Sequence, residues 1–269
     1  MLDEVVVVRG GGDIASGTIQ KLHRSGFKVL VLDVKKPTSI RRKVCFSEAI
    51  YEKQVIIEDI KAVCVDNADD VKKAWKDGSI PVVVDPQGKY IEFLKPEIVI
   101  DAILAKKNLG TNKDMAQITI ALGPGFEAGK DVDIVIETMR GHNLGRLIFK
   151  GRAMNNTGIP GNINGYSKER VLYSPSDGII KNICEIGDKV KMGDVIAYVE
   201  KIEVKALING VLRGIIRDEI KVFKGMKIGD IDPRITEEKN CFTISDKARN
   251  IAGGVLEAIL YLKHKKFNK

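Results

Sequence analysis

The feature that most constrains this chain is its start, where four consecutive valines run directly into three glycines. Val5–Val8 form an apolar run that is typical of a strand buried on both faces of a parallel sheet. A helical pattern follows and ends at Ser25–Gly26, and a second apolar run, Phe27–Leu32, ends in Asp33. Strand, glycine turn, helix, strand and acid, in this order, predict a βαβ unit of the nucleotide-binding kind.

Each position of this turn has a physical reason. Gly10 suits a tight turn, Gly12 lets a diphosphate approach the backbone, and Ala15 lets the helix pack close to the strand. The helix start offers N–H groups to a phosphate, and Asp33 stands where a carboxylate can accept from a ribose hydroxyl. Asp13 argues the other way, because its charge lies where a phosphate would sit, unless it is only an N-cap. The alternative is an open sheet whose glycine turn binds nothing.

Other unusual residues follow other predicted strands, and ligands of open parallel sheets bind beyond the carboxyl ends of the strands. The predicted cofactor-binding residues are Arg9, Gly10, Gly11, Gly12, Asp13, Ala15, Asp33, Gly123 and Gly125. The catalytic candidates are Arg140 and His142, which follow the predicted strand Asp133–Thr138 as an anion contact and a general acid or base. The alternative for His142 is a loop histidine with an ordinary hydrogen bond.

Composition narrows the class of protein. Of 269 residues, 44% are hydrophobic and 30% charged, which is typical of a globular protein. No apolar run is long enough to span a bilayer, and the start lacks a signal-peptide pattern, so we expect a cytoplasmic protein with reduced cysteines. The net charge of +8 is interleaved with acids, and only 6% of residues are aromatic, which disfavours nucleic acid as a partner. The cysteines and histidines show no metal-ligand spacing.

An internal repeat sets the second half of the chain apart. A shift of 32 residues places Gly178 on Gly210 and Lys189 on Lys221. These short strands and glycine turns resemble the barrel-sandwich domains of biotinyl and lipoyl carriers. Glu203 falls on the position of the modified lysine, so neither biotin nor lipoate is expected. We predict an α/β fold with a Rossmann-like, mostly parallel sheet over 1–168, an all-β barrel-sandwich domain over 169–236, and a strand and helix over 237–269 that pack back on the first domain.

Three local patterns give sharper expectations. Asn67 is a predicted cap for a helix ending at Lys76, and Ser245 is a predicted cap for a C-terminal helix after a strand at Cys241–Ile244. Two adjacent glycines, Gly253–Gly254, lie inside that last helix, where each costs about 1 kcal/mol relative to alanine. Such a cost predicts close packing against another backbone.

Several blocks of the sequence resemble the YqeB-type family of the selenium-dependent molybdenum hydroxylase system. These blocks are Arg9–Gly17, Asp101–Lys106, Ala121–Phe126, Glu137–Arg146, Asn209–Gly214, Gly229–Arg234 and Ser245–Arg249. The glycine turn is also similar to that of XdhC-type maturation proteins, which carry a Rossmann domain and handle molybdenum cofactor. The resemblance implies a cytosolic accessory role in maturing a selenium-containing molybdenum hydroxylase, with that hydroxylase as client protein.

Three functions follow from these observations, and catalysis itself stays open among them. The first is a maturation factor that binds a nucleotide-type ligand, either NAD(P) or a molybdopterin dinucleotide, in the Rossmann crevice. The second is an NAD-dependent oxidoreductase acting on a tetrapyrrole or pterin precursor. The third is a non-enzymatic scaffold. Expected partners are the client hydroxylase, a nucleotide-type small molecule and, in a homo-oligomer, further copies of the chain, but neither nucleic acid nor a membrane.

Overall fold

The structure is a computed structural model that describes residues 3–267 and the side chains of residues 3–265. It divides into two compact units. Within the described residues, unit 1 takes in the chain up to Pro37, Cys45–Asn156 and the chain from Ile244 onward, and unit 2 takes in Thr38–Val44 and Thr157–Thr243. These boundaries differ from the predicted ones, since residues 38–44, 157–168 and 237–243 all belong to unit 2. The last two residues of the predicted C-terminal segment lie outside the described residues.

Unit 1 is built on a nine-stranded mixed sheet with the strand order β10-β9-β7-β6-β1-β2-β5-β4-β3. A separate two-stranded ladder joins β8 and β11. The strands are β1 (Val5–Arg9), β2 (Lys28–Asp33), β3 (Gln54–Ile57), β4 (Ile60–Cys64), β5 (Ile80–Val84), β6 (Ile98–Asp101), β7 (Ile118–Leu122), β8 (Glu127–Ala128), β9 (Ile134–Ile136), β10 (Leu147–Ile148) and β11 (Gly151–Arg152).

The opening valines form the centre of this sheet, as the sequence predicts. β1 pairs in parallel with β2 on one side and with β6 on the other. Val6, Val7 and Val8 have no exposed surface, which explains why the strand carries valine at every one of these positions.

Five α-helices belong to unit 1: α1 (Asp13–Arg24), α2 (Ala49–Glu52), α3 (Ala68–Lys76), α4 (Lys89–Leu94) and α5 (Asp246–Phe267). The predicted caps of two helices are confirmed. The Asn67 side chain accepts hydrogen bonds from the N–H groups of Asp69 and Asp70 at the start of α3. Ser245 Oγ accepts from the Ala248 N–H at the start of α5, at 3.2 Å. These three bonds satisfy N–H groups that have no partner inside their own helix.

The predicted fold class is wrong for unit 1. A Rossmann-like fold places a crossover helix between successive parallel strands. Here β3 and β4 form an antiparallel hairpin at one edge, and β10 is antiparallel to β9 at the other. Among the described residues, no α-helix lies between β6 and β7 or between β7 and β9. Helix α5, which follows far later in the chain, packs against β7, β9 and β10 instead.

Helices α1 and α5 lie side by side and run in the same direction. A Cβ added to Gly17 would lie 2.6 Å from the carbonyl oxygen of Ala248, so the second turn of α1 approaches the first turn of α5 to backbone contact. Near their other ends, the Lys263 ammonium lies 5.4 Å from the centre of the Phe27 ring, just beyond α1. The positive ends of the two helix dipoles therefore lie at the same edge of unit 1.

Unit 2 consists of two four-stranded antiparallel sheets, with the orders β12-β19-β17-β14 and β16-β15-β13-β18. Its strands are β12 (Val171–Tyr173), β13 (Gly178–Asn182), β14 (Lys189–Val190), β15 (Val195–Val199), β16 (Ile202–Lys205), β17 (Gly210–Ile215), β18 (Lys221–Val222) and β19 (Lys227–Asp232). The repeat is visible, because a shift of 32 residues carries the first residues of β13, β14 and β15 onto those of β17, β18 and β19.

The repeats exchange strands, since β14 pairs with β17 and β18 pairs with β13. The predicted barrel-sandwich class is corrected to these two separate sheets.

A strand was also predicted at Cys241–Ile244, but a 3₁₀ helix covers Ile235–Phe242 instead. The position compared with a carrier lysine, Glu203, lies in β16 with its carboxylate 2.7 Å from the Lys205 ammonium. No helix within residues 3–267 has the length and apolarity that crossing a bilayer requires.

Candidate functional site

The carboxyl ends of the parallel strands in unit 1 gather the sequence-predicted residues at one edge of the sheet. Arg9 ends β1 beside Asp101 of β6, and their backbones pair directly. The glycine turn follows β1, Asp33 ends β2, Gly123 follows β7, and Arg140 lies on the loop after β9. This edge is where ligands bind in open sheets with parallel strands.

Arg9 is held in a buried polar cluster. Its Nη1 donates to Thr111 Oγ1 at 2.5 Å, and its Nη2 donates to the Pro86 carbonyl at 3.1 Å. Thr111 Oγ1 in turn donates to Asp101 Oδ2 at 2.6 Å. Burial raises the pKa of Asp101, while the hydrogen bonds from Thr111 and Ile103 and the charge of Arg9 oppose that rise. The cluster ties the ends of β1, β5 and β6 to the 108–111 loop.

The glycine turn is closed at its first two glycines by the chain itself. A Cβ on Gly10 would lie 2.9 Å from the Ala102 carbonyl oxygen, and one on Gly11 would lie 2.8 Å from the Ser47 nitrogen. The Gly11 N–H donates to Asp33 Oδ2 at 2.7 Å. Burial raises the pKa of Asp33, against the hydrogen bonds from Val34 and Gly11. Gly10 and Gly11 are thus required by packing of the protein against itself.

The other predicted small residues also meet protein atoms. A Cβ on Gly123 would lie 2.5 Å from Thr138 Oγ1, and one on Gly125 would lie 2.7 Å from the Lys107 nitrogen. Ala15 is completely buried in α1. Gly125 therefore lets the loop after β7 pack against the loop after β6, and Ala15 lies in the core.

The start of α1 is the exception. Gly12 is its N-cap in extended conformation and, as a glycine, has no side chain that could cap the helix. Gly12, Asp13 and Ile14 are only half-buried. The first N–H groups of a helix have no partner inside the helix and carry its positive dipole end. The start of α1 can therefore accept a negatively charged group, although Asp13 itself supplies one negative charge.

Two cations lie near this helix start. The Arg140 guanidinium donates to both carboxylate oxygens of Asp246, at 3.2 and 3.3 Å, in the first turn of α5. The next residue, Lys247, is half-buried. Burial lowers the pKa of Lys247, and the charge of Arg140 lowers it further, while Asp13, Glu137 and Asp246 act in the opposite direction. These five charged groups form what we call the α1–α5 cluster.

The loop that carries Arg140 is fixed by a buried carboxylate. Glu137 is 4% exposed, and its two oxygens accept from the N–H groups of Met139 and Met154, at 2.7 and 2.9 Å. His142, the other catalytic candidate, is exposed on the same loop. Arg140 therefore belongs to the α1–α5 cluster. The catalytic role of His142 stays a prediction.

Sequence reasoning missed Lys247 and Glu137. Lys247 lies in the Ser245–Arg249 block, but nothing in the sequence indicated that α5 would run beside α1. Glu137 lies at the end of the predicted strand Asp133–Thr138, just before Arg140, and could have been singled out as an acid at a strand end. Within residues 3–267, no three histidine, cysteine or acidic side chains are grouped to hold a metal ion.

No family model matches the chain. The chain is similar to the Escherichia coli K12 protein named "Uncharacterized protein YqeB". The two are 50% identical over 261 residues, which make up 97% of this chain and 48% of that protein. The chain therefore spans about half the length of this curated relative. The name agrees with the family resemblance seen in the sequence and states no activity.

Three solved structures show a weak likeness. An aspartoacylase family protein from Mesorhizobium loti is 12% identical, with 85% of this chain and 84% of that one covered and a TM-score of 0.29. An ectoine utilization protein from Ruegeria pomeroyi is 9% identical, with 85% of each chain covered and a TM-score of 0.26. A succinylglutamate desuccinylase from Silicibacter is 12% identical, with 85% and 84% covered and a TM-score of 0.25. At these TM-scores the likeness carries no argument.

The predicted function is corrected, together with its two alternatives. All three predicted roles assumed a Rossmann domain. The maturation factor and the NAD-dependent oxidoreductase would bind a ligand in its crevice, and the scaffold would keep the domain as a relic. Among the described residues of unit 1, no α-helix connects β6 to β7 or β7 to β9. Ser47, Asp33 and Ala102 contact the glycine turn at Gly10 and Gly11, where the ligand was expected.

Proposed function

We propose that unit 1 binds a small organic anion, through a carboxylate or phosphate group, at the start of α1. The observation that carries the proposal is the α1–α5 cluster, where the charge of Lys247 interacts with Arg140 and with Asp13 at a helix start whose N-cap is a glycine. N–H groups at Gly12–Ile14 would donate to the anion, and the two cations would neutralise its charge. This site does not use Gly10 or Gly11, whose contacts are internal.

The parallel arrangement of α1 and α5 supports an anion rather than a cation. Two helix dipoles that point the same way place their positive ends side by side, which is unfavourable unless negative charge lies nearby. Asp13 and Asp246 supply part of that charge, but Asp246 is already paired with Arg140. An anion at the α1 start would add negative charge where the two positive dipole ends lie together.

Isothermal titration with inorganic phosphate and with acetate tests the proposal. The variants are Arg140→Gln and Lys247→Gln, and the matched control is Lys76→Gln, which removes an exposed lysine at the end of α3. Loss of one charge-assisted hydrogen bond costs about 1.5–3 kcal/mol, so each site variant should weaken binding by about tenfold or more. The control should bind as the wild type does. Equal weakening in all three variants, or no binding to the wild type, would refute the proposal.

The finer expectations stay predictions. Membership of a selenium-dependent molybdenum hydroxylase system and a client hydroxylase as partner have the sequence resemblance as their support. NAD(P) as cofactor has the glycine turn and Asp33 as its support, and a molybdopterin dinucleotide has that turn together with the resemblance. The similar E. coli protein is about twice as long as this chain. About half of that protein has no counterpart in this chain. The partners and activity of the whole protein are therefore a separate question from the anion site of unit 1.

A further inference from the structure

The dipeptide Asn-Gly occurs twice in this chain, at Asn164–Gly165 and at Asn209–Gly210, each time after an isoleucine. We propose that Asn164 is a modification site, which deamidates through attack by the backbone nitrogen of Gly165, and that the fold protects Asn209 from the same reaction. Both dipeptides lie in unit 2, so the inference is independent of the anion site proposed for unit 1.

The first dipeptide forms an exposed two-residue hairpin turn. Ile163 and Tyr166 exchange backbone hydrogen bonds of 2.9 and 3.0 Å across the turn, and this bridge lies outside the named strands. Both turn residues have positive φ, 49° at Asn164 and 87° at Gly165, which is the conformation that Asn-Gly favours in tight hairpins. A bridge of one residue pair has few bonds to break, so the turn can open locally while the rest of unit 2 stays folded.

The nitrogen of Gly165 is the nucleophile, and the space beside this residue is open. A Cβ on Gly165 would meet no described atom within 4 Å. Its N–H donates to Asn162 Oδ1 at 3.0 Å, and this bond holds the turn closed together with the two bonds between Ile163 and Tyr166. When these three bonds open, the backbone of Asn164 can rotate and bring its side-chain carbonyl carbon to the nitrogen.

The reaction needs water and no other reagent. The Gly165 nitrogen attacks Cγ of Asn164, a carbon–nitrogen bond forms, and a five-membered succinimide ring closes. The side-chain amide nitrogen leaves as ammonia and takes the proton that the Gly165 nitrogen loses. Water then adds to one of the two ring carbonyls, and the ring opens to aspartate or isoaspartate. Nothing is oxidised or reduced, and the segment gains one negative charge.

The second dipeptide has the same chemistry in a different environment. Gly210 is buried as the first residue of β17, where it pairs with Val190 of β14. A Cβ on Gly210 would collide with the carbonyl oxygen of Asp232. The side chain of Asn209 is also held, because its Oδ1 accepts from the Met192 N–H at 2.7 Å. Since β17 lies between β14 and β19, ring closure at Asn209 requires a four-stranded sheet to open.

Timed incubation of the folded full chain in mildly alkaline buffer tests the inference, with proteolysis and peptide mass mapping of both sites. We expect Asn164 to deamidate about tenfold faster than Asn209 or more, because its turn opens at a lower free energy. In urea the two sites should react at similar rates, because each stands between isoleucine and glycine. Asn164→Gln should abolish the reaction at this position, since its longer side chain would have to close a six-membered ring, and should leave Asn209 as slow as before.

The outcomes decide the proposal. Equal rates at the two sites of the folded protein, or faster reaction at Asn209, would overturn it. A folded protein that stays unmodified at Asn164, while the same sample in urea reacts, would show that the turn stays closed and would overturn it as well. Formation of aspartate without any isoaspartate would mean direct hydrolysis of the side chain and would overturn the attack by the Gly165 nitrogen.

Discussion

Two neighbouring glycines of α5 give a sharp test of how this helix packs. A Cβ on Gly254 would collide with the carbonyl oxygen of Gly145 and lie 3.3 Å from Ile136 Cγ2. A Cβ on Gly253 would meet nothing nearer than the Lys21 ammonium nitrogen, at 4.0 Å. The two sites therefore differ in packing while sharing one helix and one change of residue type.

The expected magnitudes follow from this difference. Alanine is favoured over glycine inside a helix by about 1 kcal/mol, and the effect on the unfolded chain is the same at both sites. Gly253→Ala should therefore raise the free energy of unfolding by about 1 kcal/mol. At Gly254 the new methyl meets backbone that cannot rotate away, and overpacking costs about 1–3 kcal/mol. Gly254→Ala should thus be less stable than Gly253→Ala by about 1–3 kcal/mol.

Thermal and urea unfolding of both variants measure this difference. For a protein of this size each kcal/mol shifts the melting temperature by about 2–4 °C. Gly253→Ala should melt above the wild type and Gly254→Ala below Gly253→Ala. Equal stabilisation by both substitutions would refute the close approach of α5 to the loop that contains Gly145.

Three further predictions concern charge and backbone. Glu58 accepts hydrogen bonds from Gln20 and from the Ile244 N–H, and although burial alone would raise its pKa, these bonds and the charges of Arg249 and Arg24 lower it below 4.5. The stability that the Glu58 carboxylate adds is therefore complete above its unfolded pKa and is lost as the pH falls through its lower folded pKa. Glu58→Gln should be less stable than the wild type at pH 7, and its stability should fall less steeply as the pH is lowered. A pH–stability curve identical to that of the wild type would contradict this. Arg9→Met leaves the Asp101 carboxylate buried without the positive charge of Arg9. The free energy of unfolding in urea should fall by about 3–5 kcal/mol, whereas a change near zero would mean that the cluster is not formed. Gly11→Ala should destabilise by about 1–3 kcal/mol even with no ligand added, because the methyl meets Ser47, and circular dichroism melts would show wild-type stability if that contact were absent.

The sequence predicted the parts of the fold that depend on local chemistry. The buried strand Val5–Arg9, the caps Asn67 and Ser245, and the repeat of 32 residues all follow from residues close together in the chain. The close approach predicted for Gly253–Gly254 holds for Gly254 alone, because helical periodicity does not say which of two adjacent glycines faces a neighbour.

The errors have a common physical cause, which is contact between distant segments. The Rossmann-like class implies a helix in each crossover between parallel strands, but α5 covers β7, β9 and β10 from the C-terminal part of the chain. The glycine turn satisfied a nucleotide-binding pattern, yet the same absence of side chains serves contact with Ser47 and Ala102. Lys247 was missed for the same reason, since Asp13, Glu137 and Arg140, which interact with it, come from segments more than 100 residues away.

The central claim is that an anion binds at the start of α1 beside Arg140 and Lys247. Amide chemical shifts of ¹⁵N-labelled protein, recorded during titration with inorganic phosphate, test it most directly. The account predicts saturable shifts concentrated at Gly12, Asp13 and Ile14, reduced in Arg140→Gln. Shifts confined to other parts of the chain, or none at these three amides at any phosphate concentration, would contradict it.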